Sequence, residues 1–148
     1  MHVSSHAFIN GGAIPKKYTC DGQNVAPPLA WSDVPQSSRS LAVICDDPDA
    51  PAGTFTHWVL YDIPASLRQL SEGASVGTAG VNSFGKLGFS GPCPPRRDPA
   101  HHYHFQLYAL DVDSIGVKGL PKKEAMEAMA GHILAKAELI GVYKRASA

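Results

Sequence analysis

The 148-residue chain lacks a dominant charge: thirteen Lys and Arg balance thirteen Asp and Glu, and no basic run exceeds two residues. That excludes the long-range field that draws proteins to nucleic acid or to anionic lipid. No apolar stretch is long enough to span a bilayer. The opening Met1-His2-Val3-Ser4-Ser5-His6 has no basic segment followed by an apolar one, so no secretory signal is expected, and the expected compartment is the cytoplasm. Cysteine is scarce. Cys20, Cys45 and Cys93 are an odd count and are expected to form no closed disulfide framework, with Cys45 a small buried hydrophobe inside an apolar run. Absent too are a Gly-x-Ser-x-Gly elbow and a glycine-rich phosphate loop, so neither serine hydrolysis nor nucleotide hydrolysis has a motif behind it.

What the chain has in quantity is turn chemistry, with fourteen glycines and twelve prolines. Such a density argues for short strands and shaped loops. Leu41 to Cys45 is a near-continuous apolar run and reads as a strand buried on both faces. Thr56 to Ile63, rich in aromatic and β-branched residues, reads as a second strand stopped by Pro64. Tyr103 to Leu110 shows the clearest period of two, with Tyr103, Phe105, Leu107 and Ala109 on one side. One helix is expected over 121–131, from the i, i+3, i+4 spacing of Ala125, Met126, Met129 and Ala130, with Gly131 as its stop. Ile133 to Tyr143 alternates and is predicted as a strand, and 73–91, with six glycines, as a long shaped loop. One all-β domain over 1–148 is expected, an antiparallel sandwich with a short helical appendage.

Chemistry-bearing residues gather at the strand ends. Asp47-Pro48-Asp49-Ala50-Pro51 follows the first strand directly. Residues two apart in an extended segment point the same way, so Asp47 and Asp49 could share a face, either capping turn N–H groups or orienting a histidine. His57 opens the second strand, and Asp47 or Asp49 could hold one of its ring nitrogens while the other donates into a pocket. In His101-His102-Tyr103-His104, His101 and Tyr103 share one face, and His102 and His104 the other. His-x-His spacing could supply two zinc ligands, but no third stands at a fixed short spacing. Gly91-Pro92-Cys93-Pro94-Pro95 is a stiff turn, either a rigid crossover between strands or one whose glycine could lend its N–H to an anion, and Arg96 and Arg97 follow as a solvated rim or a local attraction for phosphate. Cys93 with His101 is a conceivable thiolate pair, though a cysteine between prolines lacks the helix N-terminus that usually activates one.

Taken in order, these segments resemble the phosphatidylethanolamine-binding protein family, in its prokaryotic Raf-kinase-inhibitor-like branch. The resemblance is carried by Cys20-Asp21-Gly22-Gln23-Asn24-Val25-Ala26-Pro27-Pro28-Leu29-Ala30-Trp31, Asp47-Pro48-Asp49-Ala50-Pro51, Thr56-His57-Trp58, Gly91-Pro92-Cys93-Pro94-Pro95 and His101-His102-Tyr103. It implies an antiparallel Greek-key β-sandwich with a small anion pocket at one end. Asp47, Asp49, Pro51, His57, Gly91, Pro92, His101 and Tyr103 are its implied ligand-binding residues, with no cofactor and no metal. The position between that His and Tyr is often Arg in the family and is His102 here. The implied ligand is a phosphate-like group, a small carboxylate or a phospholipid head group. The expected function is binding or regulation rather than catalysis. The alternatives are an inhibitor of a kinase or protease, and a weak hydrolase using Asp, His and Tyr. A homodimer is also conceivable. Carboxylates repel phosphate, so Asp47 and Asp49 are expected to position His57 and the loop rather than meet the ligand.

Overall fold

An apolar strand can be buried on both faces only if each face has its own cover. The computed structural model describes residues 1–146 and supplies both covers. Strands β1 (His2–Ser4) and β2 (Leu29–Ser32) form one antiparallel sheet with β5 (Gln69–Leu70), in the order β1-β2-β5. Strands β3 (Ser40–Asp47), β4 (Phe55–Pro64), β6 (Thr78–Ala79), β7 (His101–Leu110) and β8 (Ile133–Tyr143) form the larger sheet, in the order β6-β4-β3-β7-β8. Every pairing in it is antiparallel, and the connection from β4 to β7 skips β3.

The strand period of two divides β3 between two apolar clusters. Leu41, Val43 and Cys45 pack with Trp31 and Leu70 of the small sheet and with Tyr103, Phe105 and Leu107 of β7. Ala42 and Ile44 face the other way, onto Ala125 and Met129 of helix α1 (Lys122–Met129). Met129 is fully buried, and burying a side chain of that size contributes about 2 kcal/mol. The helix sits within the expected 121–131, and Gly131, at φ 83°, takes the left-handed conformation beyond its end. The tail is the expected strand, paired along β7 from His101–Tyr143 to Leu110–Ile133.

Two expectations change. The glycine-rich stretch 73–91 carries β6 and is pinned by a buried asparagine. Asn82 donates to the Gly88 carbonyl and the Ser90 hydroxyl and accepts the N–H groups of Phe84 and Lys86. The cysteines were expected to form no closed disulfide framework, yet Cys20 and Cys93, 73 positions apart, are disulfide-bonded, while Cys45 is free and buried as expected. An odd count forbids a framework that uses every cysteine. It does not forbid one bond between loops that the topology brings together. Nearby, Cys20 donates its N–H to the Pro92 carbonyl (3.1 Å) and Gly91 donates to Asn24 Oδ1 (2.7 Å), so the two segments are clamped at three points.

Candidate functional site

The same alternation that builds the core sorts the acids at the end of β3. Asp46 continues the face of Ala42 and Ile44, where it accepts from Thr56 Oγ1 (2.8 Å) and Lys122 Nζ (2.6 Å) beside the helix. Asp47 continues the face of Leu41, Val43 and Cys45 and is almost fully buried. Its Oδ1 accepts the Asp49 N–H at 2.8 Å, and its Oδ2 accepts from His101 Nδ1 at 2.6 Å. His101 reaches the same side from β7, and its Nε2 lies 2.9 Å from Asp98 Oδ2. Carboxylates only accept, so both ring nitrogens carry protons and His101 is an imidazolium held between two acids. Burial pushes its pKa down, but the hydrogen bonds and charges of Asp47 and Asp98 outweigh that and raise it above the ordinary histidine value.

His57 arrives on this face because the ladder is irregular. Cys45 pairs with Trp58 and Asp46 with Thr56, so His57 is an extra residue in β4 opposite a register shift. Regular alternation would set His57 on the side away from Trp58. The bulge brings its ring into edge contact with Tyr103, with centroids 5.2 Å apart, while Trp58 stays in the core. His57 Nδ1 is 2.7 Å from the Ser90 carbonyl and therefore carries the proton. Among the described residues, Nε2 has no hydrogen-bond partner. Burial lowers the pKa of His57, against the opposing pull of the backbone at Ser90 and Gly91 and of the Asp47 and Asp46 charges.

These groups line a cavity of about 150 Å³. Asp47, His57, His101 and Tyr103 form its polar part, and Phe55 and Phe84 an aromatic side. Ala50, Pro51 and the turn Cys93-Pro94-Pro95 complete the wall. Tyr103 is fully buried, and its hydroxyl has no hydrogen-bond partner among the described residues. Burial drives its pKa far upward, so it remains a phenol with a proton to donate. An orphan hydroxyl costs free energy unless something enters the cavity to meet it. A larger hollow of about 660 Å³ lies elsewhere, lined by the 73–79 segment, Trp58 and Phe89. It contains none of these groups, and its one charged lining residue is Lys118.

A model of the phosphatidylethanolamine-binding protein family matches residues 4–144. The chain belongs to that family. A UPF0098 protein of Aquifex aeolicus is 49% identical over 98% of this chain and 89% of its own length. Another, from Methanothermobacter thermautotrophicus, is 46% identical over 98% of this chain and 99% of its own. Among solved structures, a putative phosphatidylethanolamine-binding protein homologue from Chlamydia trachomatis, CT736, superposes with a TM-score of 0.93 at 43% identity, covering 97% of each chain. E. coli YbcL, described as a member of the mammalian family, gives 0.91 at 32% identity, covering 97% of this chain and 98% of its own.

Of the eight residues that family resemblance implied, Asp47, Pro51, His57, His101 and Tyr103 line the small cavity. Asp49, Gly91 and Pro92 do not. Asp49 turns outward, where its Oδ2 accepts the His102 N–H (2.8 Å) and pairs with His102 Nδ1 (2.7 Å). Gly91 was expected to lend its N–H to an anion, but Asn24 already takes it. Its need for glycine is steric, since a Cβ there would stand 2.3 Å from the Tyr18 carbonyl oxygen. Neither aspartate holds His57, whose partner is a backbone carbonyl; the acid that orients a pocket histidine is Asp47, and the histidine is His101. The disulfide removes the Cys93 thiolate, and His102 and His104 face Asp49 and Glu138. Among the described residues no three His, Cys, Asp or Glu side chains group as a metal ion requires. Sequence reasoning missed Asp98, Phe55 and Phe84. Asp98 stands three residues before His101, a spacing that could have prompted the pairing. Phe84 gave no signal within its glycine-rich loop.

Proposed function

We propose that the chain is a binding module whose small cavity takes a single oxyanion-bearing group: phosphate, a phosphomonoester such as phosphoethanolamine (a phospholipid head group freed of its glycerol), or a small carboxylate. The observation that carries this reading is the buried Tyr103 hydroxyl, without a partner, in a cavity whose neighbouring polar groups are already oriented by others. Size narrows the ligand. Sites for drug-sized molecules run to about 300–1,000 Å³, whereas this one is about 150 Å³, enough for a head group and not for acyl chains.

Binding is favoured over hydrolysis by a serine, threonine or cysteine nucleophile. Among the described lining residues there is no serine or threonine, and the one cysteine is locked in a disulfide. The disulfide also bears on compartment. Such bonds persist in oxidising surroundings and, in hyperthermophiles, inside the cell, which weighs against the ordinary cytoplasm expected from the sequence. Thiol titration of native protein reads it directly: one free cysteine if the bond is kept, three if it is not. No helix among the described residues is long and apolar enough to cross a membrane.

Calorimetry with phosphoethanolamine tests the binding reading. Wild type is expected to bind, His57→Ala to lose binding, and Tyr103→Phe to weaken it about two- to tenfold, the effect of one hydrogen bond. Absence of heat with phosphate, phosphoethanolamine and acetate alike would overturn it.

A further inference from the structure

Building on the binding reading, we infer that the cavity accepts its ligand as a protonated oxyacid, one that donates a hydrogen bond to His57 Nε2, and so prefers phosphate or a phosphomonoester to sulfate or a phosphodiester. The argument is a count of hydrogens. His57 has its one ring proton on Nδ1, where the Ser90 carbonyl takes it, and presents a bare lone pair at Nε2. His101 is cationic, but both its N–H groups are already held, by Asp47 and Asp98. Gly91 donates to Asn24. Pro51, Pro94 and Pro95, all in the wall, have no N–H. Asp47 can only accept. Among the lining side chains, that leaves the Tyr103 hydroxyl as the single donor with a free hydrogen.

Among the lining side chains, a fully deprotonated oxyanion entering here would meet one free donor, one lone pair and one carboxylate, the last already paired with His101. The lone pair repels it, and Asp47 and Asp98 together outweigh the single positive charge of His101. An oxyacid that keeps a proton offers a donor to Nε2 and an acceptor to the phenol, so both unpartnered groups are met. The groups facing His57 come from three directions. Asp47 stands on β3, with Asp46 adding its charge from that strand's other face, and His101 and Tyr103 stand on β7. Ser90 supplies its carbonyl from the 80–92 segment, where Phe84 lies against the ring, and Phe55 on β4 adds a second apolar contact. The carboxylates favour a proton on His57 and burial opposes it, with burial the larger influence. The proton is therefore brought by the ligand rather than stored on the ring.

The test is calorimetry on wild-type protein with inorganic phosphate, methyl phosphate, sulfate and dimethyl phosphate. Sulfate matches phosphate in shape and carries no proton near neutral pH; dimethyl phosphate is a monoanion without one. Phosphate and methyl phosphate are expected to bind at least about tenfold more tightly than the other two, because an unmet lone pair and an unmet repulsion remain in the losing complexes. Methyl phosphate affinity is expected to fall about tenfold per pH unit once pH exceeds the ligand's second pKa, about 6. Equal affinity for sulfate and phosphate, or binding of methyl phosphate that ignores that pKa, overturns the inference while leaving an oxyanion pocket standing. No binding by any of the four overturns the inference, and the absence of heat with phosphoethanolamine and acetate as well overturns the binding reading with it.

Discussion

His101 and His102 are neighbours on β7, and each pairs with an aspartate from the tip of β3, yet the two pairs are built in opposite surroundings. His101 and Asp47 are each about 4% exposed in their side chains, while His102 and Asp49 are 54% and 42% exposed. The distances are nearly the same, 2.6 and 2.7 Å. Geometry alone therefore says little about what a pair contributes; the surrounding dielectric decides. The inner pair is joined by Asp98 into a three-member group against the cavity, where removing one member strands a charge out of water. The outer pair sits where water screens it, and its chief structural service is that Asp49 accepts a backbone N–H.

The largest test of that contrast is Asp47→Ala. It leaves His101 with one acid instead of two and frees the Asp49 N–H, and is expected to cost about 3–5 kcal/mol in denaturant-induced unfolding. A cost of about 1 kcal/mol would place the inner pair in the same class as the outer one. Next comes the disulfide, which holds the cavity wall through Cys93. Its reduction, or Cys20→Ser with Cys93→Ser, is expected to cost about 2–4 kcal/mol and to weaken ligand binding while leaving the Asp49–His102 hydrogen bonds intact.

Titration sharpens the comparison further. In NMR, His101 is expected to titrate above the ordinary histidine value of about 6.5 and His57 below it. The stability that His101 contributes is then complete below that value and is lost as pH rises through its raised folded pKa. His57 acts in the opposite sense: as pH falls below about 6.5 the unfolded chain takes a proton that the folded ring resists, so stability declines. The His102 hydrogen bonds hold the Asp49 carboxyl below its usual range. Its contribution is present above the ordinary carboxylate pKa and disappears as pH drops through the lowered one. Finding His57 above His101 would reverse the proposed charge pattern. The smallest effect is reserved for Asp49→Ala, expected to cost no more than about 1 kcal/mol in the same unfolding assay.

Legibility followed the same division. Strands β3, β4, β7 and β8 and the helix were readable because their apolar periods are local properties, one residue against the next. So was the grouping of His101 with Tyr103, which alternation along β7 places on one face. The separation of Asp47 from Asp49 was not. Alternation pairs them, but the chain leaves the strand at Asp47 and turns, with the Asp49 N–H bonded back to the Asp47 side chain. The bulge at His57 was equally hidden, since a register shift belongs to two strands and is written in neither.

The residues alone determined that this chain would form sheets with one late helix, and that acids, imidazoles and proline corners would stand at the ends of the central strands. Tertiary structure decided which of them meet, which cysteines bond, and above all where the hydrogens lie. A donor count in a cavity depends on the second partner of every polar group, and those partners come from loops far away in the chain, whose approach no local period records.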